Sequence, residues 1–172
     1  MKKDVSNLMR LLSLTIVLAL ITPAITNAQA GQANFAGTWA LNAEKSTPAP
    51  TAGGGGGQRM GGGDFVATQA ANLLTSTRTR TGQDGTPTTT ILNYTLDGKV
   101  SVNTNPRGDS KSVATWSADG KTLTIVTTST FNDTERKSSE AWTLTDAKTL
   151  SITSTRQGQD GEVKTTRVYD KK

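Results

Sequence analysis

From Asp64 to the end of the chain, apolar side chains recur at every second position in short runs. Leu92-Tyr94-Leu96, Ala114-Trp116, Leu123-Ile125, Trp142-Leu144 and Leu150-Ile152 are such runs, and the positions between them hold mostly Thr, Ser, Lys and Arg. A period of two belongs to β-strands, whose successive side chains point to opposite faces, and it implies one buried and one wet face. Val100-Val102 reads the same way, as does the opening stretch, where Phe35, Gly37, Trp39 and Leu41 share one parity. Beyond that opening stretch the pattern predicts strands at 65–69, 72–81, 86–96, 99–103, 111–117, 121–130, 135–144, 148–156 and 162–169.

The segments between these runs carry turn chemistry: GQDG at 82–85 and 158–161, LDGK at 96–99, ADGK at 118–121, FNDT at 131–134 and TDAK at 145–148. Asp-Gly supplies the positive φ that tight hairpins need. No spacer is long enough for a crossover helix, so consecutive strands are expected to pair antiparallel rather than form βαβ units. An open meander of this length would leave two exposed edges, and closure removes them. The expectation is an all-β, antiparallel up-and-down meander closing into a barrel of about eight or nine strands. Such an interior is filled by side chains or holds one small ligand. Arg78 and Arg80 share a strand face, which reads as solvated exterior.

Two segments fall outside this pattern. Lys2, Lys3 and Arg10 precede the apolar run Leu11–Ile21, followed by Pro23 and the small-residue site Ala28-Gln29-Ala30. A basic start, a short apolar run and an A-x-A site describe a secretory signal peptide over residues 1–30. Residues 31–172 then form a single secreted or periplasmic domain, with no membrane span left after cleavage. The tract STPAPTAGGGGGQRMGGGD brings a Pro/Gly-rich flexible loop at 47–64. Its glycines match a dinucleotide fingerprint trivially, but no strand precedes them and no helix follows, as that motif requires.

Composition narrows the chemistry. The chain has no His and no Cys, which removes Ser-His-Asp and Cys-His catalysis and histidine or thiolate metal sites. Six of the acids, Asp84, Asp97, Asp119, Asp133, Asp146 and Asp160, sit in turns, where Asp serves the backbone. No catalytic residue, metal ligand or cofactor is therefore assigned, and the chain is read as a non-enzyme. Three of the 19 basic residues and one of the 14 acidic ones (Asp4) lie in the first thirty, leaving 16 against 13 and a net charge of +3. Those cations are scattered singly, which argues against a nucleic-acid partner. The aromatic residues carry more information. Trp116, Trp142 and Tyr94 are the candidate ligand contacts in the lumen, against the alternative that they simply fill it.

The two ends of the mature chain resemble a known group. FAGTWALNAEKS at 35–46 looks like the F-x-G-T-W-x-L-N-x-x-K-S opening of small secreted bacterial proteins described as lipocalin-like. A Pro/Gly-rich loop follows that opening in the group, as here. RVYDKK at 167–172 is similar to the group's closing strand, and the D-G-K turns at 97–99 and 119–121 also fit. More distantly, Gly37-Thr38-Trp39 is similar to the G-x-W motif of lipocalin barrels, whose Trp closes one end beneath an Arg from the last strand. The resemblance implies a lipocalin-like barrel with Trp39 as the closure and Arg167 as its cover. The Cys pair and the helix of many lipocalins are missing. The function expected is non-catalytic binding of a small apolar or amphipathic, hydrophobic ligand. The alternative is a structural or interaction module of the cell envelope with a solid barrel.

Overall fold

The computed structural model describes residues 31–47, 63–82, 84–105, 108–131, 134–158 and 161–172. The proposed signal segment and most of the proposed glycine loop lie outside the described residues. Among the described residues no helix is long and apolar enough to cross a membrane.

Ten strands follow one another: β1 (Gly37–Asn42), β2 (Phe65–Ala70), β3 (Leu73–Thr81), β4 (Pro87–Thr95), β5 (Val100–Asn105), β6 (Gly108–Trp116), β7 (Thr122–Phe131), β8 (Thr134–Asp146), β9 (Thr149–Gly158) and β10 (Gly161–Lys171). The opening stretch and each of the nine later runs forms one strand, so the count among the described residues is ten against the expected eight or nine. The strands make one antiparallel sheet in the order β4-β3-β2-β1-β10-β9-β8-β7-β6-β5. First and last strands pair, with Trp39 opposite Lys171 and Leu41 opposite Tyr169. The two ends of the hydrogen-bonded order are therefore β4 and β5, which are consecutive in sequence and joined by a tight turn.

The turns form as their residues require. Gly85, Gly98 and Gly120 take φ of 79°, 77° and 69°. The Asp before each accepts the backbone N–H two residues after itself: Asp84 from Thr86, Asp97 from Lys99 and Asp119 from Lys121. Asp146 accepts from Lys148 in the same way. Asp133 and Asp160 lie outside the described residues.

Between β4 and β5 side chains replace the ladder. The Asn93 N–H donates to Asn103 Oδ1 at 2.8 Å, and Asn103 Nδ2 donates back to the Asn93 carbonyl at 3.0 Å. The Thr95 N–H donates to Ser101 Oγ at 2.8 Å. The Asn103 amide thus presents a donor and an acceptor to one residue, as a neighbouring strand's backbone would. This reverses the parity expected for β5. Val100 and Val102 face outward, each 57% exposed, while Ser101 and Asn103 are buried. The result is a nearly closed barrel with one polar seam.

The motif-bearing ends of the chain meet in space. Asn42 Oδ1 accepts from the Lys45 N–H, and Asn42 Nδ2 donates to Asp170 at 2.7 Å. Lys45 forms an ion pair with Asp170 at 3.3 Å. The Ser46 hydroxyl donates to the Asn42 carbonyl and accepts from the Val168 N–H. Asn42, Lys45 and Ser46 therefore pin the chain leaving β1 onto β10. Glu44 is exposed beside them.

Candidate ligand-binding lumen

The β2–β3, β4–β5, β6–β7 and β8–β9 turns lie at one end of the barrel, together with the segment that enters β1. This end is plugged. Phe35, just before β1, stacks on Trp116 with centroids 5.7 Å apart and meets Trp142 edge-on at 5.8 Å. Phe65 meets Trp142 at 5.5 Å and Tyr169 at 5.0 Å, both edge-to-face. Leu74, Leu96, Leu123 and Leu150 complete the plug. The entering segment is strapped down by polar contacts. Gln69 accepts from the Phe35 N–H and donates to the Ala33 carbonyl, while the Ala33 N–H donates to the Gly120 carbonyl. A Cβ at Gly120 would stand 2.6 Å from the Gly31 carbonyl oxygen, so glycine serves there both the turn and the strap.

Trp39 is fully buried, and its indole N–H donates to the Phe35 carbonyl at 2.9 Å. The cation over its ring is Lys171, with Nζ 5.4 Å from the centroid. Arg167 does not have that place. It stands opposite Ile152 on β9, four residues before Lys171, or roughly 13 Å along the strand. Both cations have the parity of the inner face, and the β1–β10 register selects Lys171. The missing side chain at Gly37 makes room for the lysine, since a Cβ there would meet its Cε at 2.5 Å.

Trp116, Trp142 and Tyr94 all face the interior, in differing settings. Trp116 belongs to the stack on Phe35, and its indole nitrogen is buried without a partner among the described residues. Trp142 is buried between Phe35 and Phe65, and its N–H donates to Glu140 at 3.0 Å. Tyr94 lies opposite Leu74. Burial, and secondarily the Glu140 charge, push its phenol well above the ordinary range, against the opposing pull of Arg78. The two tryptophans are thus part of the plug, and Tyr94 belongs to the same core.

The other half of the barrel has a different lining. On β3 the buried Leu74 and Ser76 fix the inward parity, which brings Arg78 and Arg80 to the inner side and not to the exterior. Arg78 stands opposite Phe65 in the meander, with its guanidinium carbon 4.4 Å from that ring's centroid. By the same registers Glu140, Ser138 and Arg136 face inward from β8, Ser154 and Arg156 from β9, and Arg167 from β10. On β4 and β8 both faces are exposed here: residues 87–91 of β4 and 134–138 of β8 are exposed at every position. Inward Thr88, Thr90, Arg136 and Ser138 therefore reach solvent, and the barrel is open at this end.

Sequence reading missed Arg78, Ser76, Glu140 and Lys171. For the first two, Leu73 and Leu74 stand side by side at the start of that strand with opposite parities, so the sequence alone did not decide which of its faces is inside. Among the described residues no cluster of three or more acids stands ready for a metal.

No protein-family model and no curated protein matches the chain. Among solved structures it is similar to zebrafish ileal bile acid-binding protein complexed with cholic acid. That likeness has a TM-score of 0.46 and 20% identity, and covers 63% of this chain and 72% of the other.

Proposed function

We propose that this chain is an exported, non-catalytic binding protein that holds a small amphipathic molecule in the open half of its barrel. The observation that carries the reading is the division of one interior into two halves. Aromatic and leucine side chains fill one end, whereas inward Thr88, Thr90, Arg136 and Ser138 remain exposed at the other. A filled barrel would bury its inward positions along the whole strand. The apolar part of a ligand packs toward the core side chains Ile125 and Ile152, and its polar part faces the Ser, Thr and Arg lining. Trp116 and Trp142 belong to the plug.

Native mass spectrometry of protein purified from its own host tests the reading. A small-molecule adduct of constant mass, lost on denaturation, is the expected result. A bare polypeptide mass, together with no change in tryptophan fluorescence on adding twelve-carbon amphiphiles, would overturn it. A second reading, an envelope interaction module, is favoured by the outward-facing Val66, Leu73, Ile91, Val100 and Val102 on the four consecutive strands β2 to β5. That reading requires a protein partner and no adduct.

A further inference from the structure

We propose that the ligand is an amphipathic organic monoanion whose charged end is held by Arg78 and Ser76. This rests on the binding reading above and goes beyond it by naming the ligand's charge.

Two neighbouring inward side chains of β3 end in buried polar atoms with no hydrogen-bond partner among the described residues, Ser76 Oγ and Arg78 Nη1. Ser76 is only 2% exposed, so solvent does not satisfy its hydroxyl. Unpaired buried donors are costly, and each calls for an explanation at the place where it occurs. The contact of Arg78 with the Phe65 ring favours the positive charge but supplies no in-plane acceptor for its N–H groups. A guanidinium and a hydroxyl two residues apart on one strand face are about 7 Å apart at their Cα atoms.

The surrounding charge is mainly positive. Arg78, Arg80, Arg136, Arg156 and Arg167 face inward by register. Among the described residues Glu140 is the one inward carboxylate on these strands, and it already accepts the Trp142 N–H. A cationic ligand would enter against these arginines. A dianion would meet the Glu140 charge close to the floor. A single negative charge with two oxygens, a carboxylate or a sulfonate, suits one guanidinium edge and one hydroxyl.

The test compares dodecanoate with dodecan-1-ol, equal in chain length and different in charge, by calorimetry and tryptophan fluorescence on the whole protein. Dodecanoate is expected to bind about tenfold or more tightly, the usual scale for hydrogen bonds to a charged group. Arg78→Gln should bring dodecanoate down to the alcohol's affinity and leave the alcohol unchanged. Lys137→Gln, the same charge change on the outer face of β8, should leave the preference intact. Ser76→Ala, which keeps the Arg78 contact with Phe65, should lower dodecanoate affinity alone and guards against a folding defect in Arg78→Gln. Equal affinity for the two probes overturns the anion inference and leaves the binding reading standing. Binding of neither probe overturns both. A preference that survives Arg78→Gln, or is lost equally in Lys137→Gln, overturns the assignment to Arg78.

Discussion

Trp39 combines three contacts that are usually spread over several residues. Its ring fills the floor of the barrel, its N–H satisfies the Phe35 carbonyl, and its face carries the Lys171 ammonium. Truncation would open a cavity among atoms already tied by strand pairing on both sides, so little collapse is available to relieve it. Trp39→Ala is expected to cost about 3–5 kcal/mol, as buried aromatics do. Trp39→Phe keeps most of the volume but leaves the Phe35 carbonyl unpaired, at about 1–3 kcal/mol. Urea titration monitored by circular dichroism measures both, and an unchanged midpoint for the alanine variant would remove Trp39 from its structural role. The burial of Trp39 was legible because parity with Phe35 and Leu41 is a local property. Its covering cation was not. Arg167 and Lys171 share a parity, and only the β1–β10 register, set by the whole closed sheet, decides between them.

At the scale of strands the seam between β4 and β5 has the most to explain. In a strand paired on both sides the backbone is satisfied by its neighbours, and apolar side chains are free to take the buried face. β5 has a ladder only with β6, so its polar alternates are recruited to satisfy β4, and the valines turn outward. Alternation of Val, Ser, Val and Asn shows that β5 has two faces but not which one is inside. The missing information is where the sheet order ends. Asn103→Ala would orphan both the N–H and the carbonyl of Asn93, since one amide serves them together. A loss of about 0.5–1.5 kcal/mol is expected for each hydrogen bond removed, since Asn93 is exposed and both bonds are only part-buried. Hydrogen exchange should accelerate at the Asn93 amide, while the Thr95 amide, held by Ser101, changes less. Unchanged protection at Asn93 would show that the side-chain ladder does not hold the seam.

For the whole molecule, charge and pH connect the turns to overall stability. The turn aspartates that shape the hairpins are hydrogen-bonded as carboxylates, so protonation removes an interaction that exists only in the folded chain. Asp97 is lowered to about 2, first by the Lys99 ammonium, 2.8 Å away, and then by the Lys99 N–H. The Thr86 N–H lowers Asp84, the Ser117 hydroxyl Asp119 and the Lys148 N–H Asp146. Lys172 lowers Asp64, and Asn42 lowers Asp170, at the junction of the first and last strands. Every one of these folded values lies below the unfolded one, near 3.9. The unfolded chain therefore binds more protons on acidification, and stability falls with pH. The contribution is complete above about pH 5 and is lost as pH drops through the folded values toward 2. The chain has no histidine, so no side chain at its ordinary pKa titrates between about pH 5 and 8. A flat plateau of the urea midpoint over that range, followed by a steady fall below about pH 4, is expected. Asp97→Asn should shallow the fall in its lowest part, where the Asp97 carboxylate is the last to protonate. A midpoint that stays constant from pH 5 to 2 would contradict the account, as would a transition centred near pH 6.5. The Asp-Gly turns were readable in sequence because their chemistry is confined to four residues. The basic lining of the open half was not, because Arg78 and Arg80 gain their inward direction from Leu74 and Ser76 only once the barrel has closed around them.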